Sequence, residues 1–81
     1  MKLNDEQNLA FVNDPRRVAA QKELDDAKHM IEISLRPDAS ANYYLSVLPQ
    51  RLKRLEEASE NLAVVEATVE AELLDQHRYH G

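Results

Sequence analysis

Residues 49–76, PQRLKRLEEASENLAVVEATVEAELLDQ, contain no Gly, and their only Pro is the first residue. Leu48, Leu52, Leu55, Leu62, Val69 and Leu73 recur at steps of three, four or seven, and Ala58 and Val65 widen the same side. That spacing predicts one amphipathic α-helix. At 1.5 Å per residue it is roughly 42 Å long. A rod of that length dominates a chain of 81 residues and must find something to lie against.

The rest of the sequence supplies little besides more helix. The single Gly is the last residue and aromatics make up 5% of the chain, so the turns and β-branched or aromatic runs of a sheet are missing. The predicted class is all-α. One domain, residues 1–81, is all that this length supports. A chain so short buries only about 60–65% of the surface that its unfolded form exposes. With no Cys it has neither disulfides nor thiolate metal ligands. Oligomerisation or docking is the remaining device for stabilising it.

Asn4 can cap a short helix over residues 4–12, with Gln7 at the capping-box position. A helix that short is marginal alone and is expected to pack as an arm. Asn13-Asp14-Pro15 then marks a helix start, because Asp14 can accept from free backbone N–H groups and Pro15 suits the first helical position. The helix is predicted over 15–35. Ala20, Leu24, Ala27, Ile31 and Leu35 form its apolar face, widened by Met30 and Ile33, and Glu32 and Arg36 form an i,i+4 pair. Arg36-Pro37 ends it, since a residue before Pro is pushed out of the helical region. Asp38 or Ser40 caps the next helix, predicted over 39–76, and the short connection predicts an antiparallel hairpin. Pro49 either kinks or breaks this long helix, and Leu48 is a poor cap, which favours a kink. Residues 77–81 read as a tail.

The two long helices do not match. Helix 15–35 is about 31 Å and helix 39–76 about 55 Å if continuous. Depending on register the surplus carries Ala63, Val65, Val69 and Leu73, or else Leu52 and Leu55, so Leu52, Leu55, Leu62, Val65, Val69 and Leu73 are the expected partner interface.

No catalytic pattern appears. Ser34, Ser40, Ser46 and Ser59 sit on or beside helices, no Gly-rich loop could cradle phosphate, and the carboxylates are spread over outer faces. The reading is non-enzymatic, with no cofactor and no small-molecule substrate. His77 and His80, three apart with Asp75 nearby, are candidate metal ligands, yet they fall short of a four-ligand zinc site. A solvated polar tail that caps the helix carbonyls is the simpler reading. Arg16, Arg17, Arg51, Lys53 and Arg54 are candidate anion contacts. Ion pairs such as Arg54–Glu57 and Lys53–Glu57 are the simpler reading. The net charge of −5 argues against nucleic acid and anionic membranes as partners. No apolar run approaches a bilayer span, and no secretory leader follows Met1, so a cytoplasmic or virion location is expected.

The sequence thus points to a structural or interaction subunit, of scaffold or adaptor type, that self-associates or docks on a larger assembly. The alternatives are a small acidic regulator covering a basic surface of a nucleic-acid-binding protein, and a module that binds metal or nucleic acid itself. A steep loss of binding with salt marks the regulator, because charge pairing is screened and apolar packing is not.

Overall fold

The computed structural model describes the backbone of residues 3–80 and the side chains of residues 3–75. Three helices, α1 (Asp5–Asn13), α2 (Pro15–Ser34) and α3 (Ala41–His80), make up 88% of it, with no strand among the described residues. The fold is all-α, and α2 and α3 form the hairpin. The long axis of the molecule is 60 Å. An unbent helix of the 40 residues in α3 is also about 60 Å long. The radius of gyration is 17.7 Å, against about 12 Å for a compact chain of this size. The molecule is a rod with α3 as its spine.

Each helix start has a local cause. Asn4 Oδ1 accepts from Gln7 N at 2.8 Å, and Gln7 Oε1 accepts from Asn4 N at 2.9 Å, a complete capping box for α1. Asp14 Oδ1 accepts from Arg16 N at 2.8 Å, and Pro15 opens α2. Ser40, not Asp38, caps α3: its Oγ accepts from Tyr43 N at 3.2 Å. The chain passes Pro49 within a single helix, so no break occurs there. The helix also continues past Gln76 to His80, in place of the tail that the loss of periodicity suggests. Nothing in residues 77–80 stops it, since the only Gly follows them.

The seam between α2 and α3 alternates alanines with larger aliphatic side chains. Ala20, Leu24, Ala27, Ala58 and Leu62 form the buried cluster, with Leu55 and Val65 packed against it. On α2 the inward positions are Ala20, Leu24, Ala27, Ile31 and Ser34, and on α3 they are Leu55, Ala58, Leu62, Val65 and Val69. Both sets follow a strict three–four repeat, the 3.5-residue period of a two-stranded coil. Alanine at alternate positions lets the two backbones approach closely. Ala27 is only 1% exposed.

That period corrects the apolar face expected for α2. A 3.6-residue reading puts Leu35 inside after Ile31, but the 3.5-residue seam selects Ser34, which is fully buried. Helix α2 ends at Ser34, and Leu35 is in extended conformation (φ −82°, ψ 95°) and exposed, as is Ile33. The Glu32–Arg36 pair does not form, because Arg36 lies beyond the helix. Its guanidinium sits 5.9 Å from the centre of the Tyr43 ring instead.

The register follows from one polar node. Arg51 on α3 donates to Met30 O at 2.6 Å and also to Ser34 Oγ. Ser34 Oγ in turn donates to Met30 O at 2.6 Å. The end of α2 therefore sits level with Arg51. Residues 41–50 of α3 project beyond it by about 15 Å. The connection, residues 35–40, runs back along this projection. Tyr44 Oη donates to Arg36 O, and Tyr43 and Tyr44 meet edge to face at 5.5 Å.

Candidate functional site

The stripe expected to meet a partner is in large part the seam of the hairpin itself. Leu62 and Val69 are buried within the chain, and Leu55, Val65 and Leu73 are half-buried. Of the six stripe residues only Leu52 is exposed. The length mismatch holds, and of the two registers the overhang falls at the Leu52 end, reaching back beyond it to Leu45. Helix α2 covers the middle of α3, where Ala58 and Leu62 lie, and α1 reaches Leu73, where Gln7 Nε2 donates to the carbonyl at 3.1 Å. Among the described side chains, what remains uncovered is the first part of α3.

There the exposed apolar residues are Leu45, 73% exposed, and Leu52, 51% exposed, with half-buried Leu48 between them. Leu45 and Leu52 are seven residues apart and so share a face of the helix. The connection 35–40 lies over the neighbouring side, where Tyr43, Tyr44, Val47 and Leu48 are half-buried. Leu35 is exposed at the same end of the rod. Periodicity alone does not single out Leu45, because Pro49 separates it from the long apolar run. A different signal does: residues 39–50 carry no charge in a chain that is 31% charged. Solvated helix faces carry charge, so an uncharged run on an exposed helix is unusual.

The candidate anion contacts divide into two groups. Arg16 pairs with Asp14 at 3.0 Å and with Glu72 at 2.6 Å. Its hydrogen bonds hold the carboxyls of both Asp14 and Glu72 below their usual range, and together these raise the guanidinium further. Arg17 pairs with Glu66 at 2.9 Å and stacks at 5.3 Å over Phe11. Arg51 is taken up by the Met30–Ser34 node. These three arginines therefore hold the chain together. Lys53 and Arg54 make no ion pair with the described residues, and the expected pairs with Glu57 are not formed.

Arg54 instead borders a shallow groove of about 360 Å³ with Glu23, Glu57, Ala58 and Asn61. Its floor is Ala58 and its polar residues are all exposed. It does not exclude the water that a catalytic or small-molecule site must shed. The side chains of His77 and His80 lie outside the described residues. Among the described residues no cluster of three or more His, Asp or Glu could hold a metal ion. No described helix is long and apolar enough to cross a membrane.

No family model matches the chain, and neither do the curated proteins or the solved structures.

Proposed function

We propose that the chain is a non-enzymatic interaction subunit that associates with further copies of itself, or docks within a larger protein assembly, through the projecting start of α3. The observation that carries this reading is Leu45, 73% exposed on the uncharged projecting segment that α2 does not reach, with exposed Leu52 continuing the same side where α2 ends. A 60 Å rod presenting one apolar end suits a scaffold or adaptor, in a virion or in a cytoplasmic complex. The charged residues Arg16, Arg17, Glu66 and Glu72 are engaged with one another inside the chain, which leaves the leucine face as the better docking surface.

Solution mass tests the proposal. The wild-type chain should exceed its 9.3 kDa monomer mass in light scattering as concentration rises. The double variant Leu45→Glu, Leu52→Glu should return to the monomer with its helicity intact. A wild-type chain that stays monomeric at every concentration would remove self-association from the proposal. Salt separates it from the acidic-regulator alternative: apolar association survives high salt, whereas capture of a basic surface by the acidic segment Glu56–Asp75 does not.

A further inference from the structure

Helix α1 is held differently from the other two. None of its residues is buried, and Leu9 and Val12 are exposed. A helix of 9 residues has little stability of its own beyond its capping box. Among the described residues its attachments are few. Gln7 donates to Leu73 O at 3.1 Å, Phe11 lies against the Arg17 guanidinium, and Val12 O accepts from Arg17 at 3.5 Å. It joins α2 through a single non-helical residue, Asp14. Pro15 keeps Asp14 out of the helical region, so the two helices cannot fuse into one.

What α1 lies across is apolar. Gln7 reaches Leu73, and Arg17, the platform for Phe11, reaches Glu66. Between those two anchor points on α3 sits Val69, 2% exposed and outside the main buried cluster. The first turn of α2 reaches the same stretch through Arg16–Glu72 and Arg17–Glu66, so the cover over Val69 is shared between the start of α2 and α1. We infer that α1 is a detachable strap: it opens as a unit while the α2–α3 hairpin stays folded, and opening frees Leu73 and removes the α1 side of the cover over Val69. Local openings of this kind occur where buried apolar contact is sparse, and α1 is the element with the least. The strap thus controls a second apolar face, at the opposite end of the rod from Leu45.

The chain has no Cys, so a single introduced thiol reports opening cleanly. In the full chain, Val69→Cys and Leu62→Cys are each labelled with a thiol reagent under native conditions, and each rate is divided by that of the same variant unfolded in urea. Val69→Cys should label at least about tenfold faster than Leu62→Cys, since it needs only local opening. Adding Phe11→Ala should speed Val69→Cys further and leave Leu62→Cys unchanged. Equal normalised rates, both unmoved by Phe11→Ala, would overturn the strap. Hydrogen exchange on the unmodified chain tests the same opening without substitutions. Amides of α1 should exchange with weak dependence on denaturant, and those around Leu24 and Ala27 with strong dependence. One shared protection for both helices would overturn the inference. Neither measurement depends on whether the Leu45 face self-associates.

Discussion

The middle of α3 and its beginning carry the same kind of residue and meet opposite fates. Leu62 and Leu45 are both leucines on an amphipathic helix, yet Leu62 is 9% exposed and Leu45 is 73% exposed. The difference is not in the residues but in what stands opposite. Facing the middle of α3, α2 offers Ala20, Leu24 and Ala27, small enough to bring the helices together. Facing residues 41–50, it offers nothing, because Ser34 ends the helix level with Arg51. An apolar stripe in sequence therefore selects a face of a helix, while the length of its neighbour decides which part of that face is free.

The sharpest way to break this contrast is the same substitution in both places. Leu62→Ala should lower unfolding stability by about 2–5 kcal/mol, through lost burial and the cavity left in the seam. Leu45→Ala should change monomer stability by no more than about 0.5 kcal/mol, as exposed positions do. Denaturant melts at low concentration, where association is absent, compare the two directly. Equal losses would mean that the start of α3 is packed as tightly as its middle. Leu62→Glu with Val69→Glu, a natural choice for testing an interface, should unfold the hairpin instead.

A smaller effect marks the boundary between the two regions. Arg51 closes the seam by donating to Met30 O and Ser34 Oγ. Arg51→Ala should cost about 1–2 kcal/mol, because it removes hydrogen bonds from a charged donor. Ser34→Ala made on top of it should add little, since without Arg51 the Ser34 hydroxyl keeps only its bond to Met30 O within its own helix. Additive losses in the double-mutant cycle would show that Arg51 and Ser34 act separately and that the node does not set the register.

Much of this architecture is legible in the residues. Asn4 with Gln7, and Asp14 with Pro15, mark two helix starts through capping chemistry that needs no tertiary context. The scarcity of Gly, aromatics and turn pairs marks an all-helical chain. The seam is legible as a face but not as a register. Choosing Ser34 over Leu35 requires knowing that two helices coil about each other at 3.5 residues per turn, which one helix alone does not reveal. The free surface escapes periodicity for the same reason. Helix lengths require an overhang, whereas its position depends on Arg51 finding the carbonyl end of α2. The role of Arg16 and Arg17 is hidden too, since their partners Glu72 and Glu66 are distant in sequence.

The weakest expected effect lies at the other end of the rod, where α1, α2 and α3 meet. Arg16 donates to both Asp14 and Glu72, and these hydrogen bonds lower the two carboxyl pKa values from the ordinary 3.8 and 4.5. A carboxyl whose folded pKa is depressed binds its proton more readily in the unfolded chain. Its contribution is therefore complete above those ordinary values and fades as pH falls through the lower folded ones. Asp14 is at once the cap of α2 and the joint to α1, so its protonation should loosen α1 before the hairpin melts. Carboxyl titrations followed by NMR should place both midpoints below 3.8 and 4.5, and Arg16→Gln should return both toward them. Glu72 is exposed and Asp14 half-buried, so high salt should shrink the shifts, that of Glu72 the more, without touching the seam. Midpoints unmoved by Arg16→Gln would mean that the cluster is not formed in solution, leaving Gln7 on Leu73 and Arg17 on Glu66 to hold that end of α3.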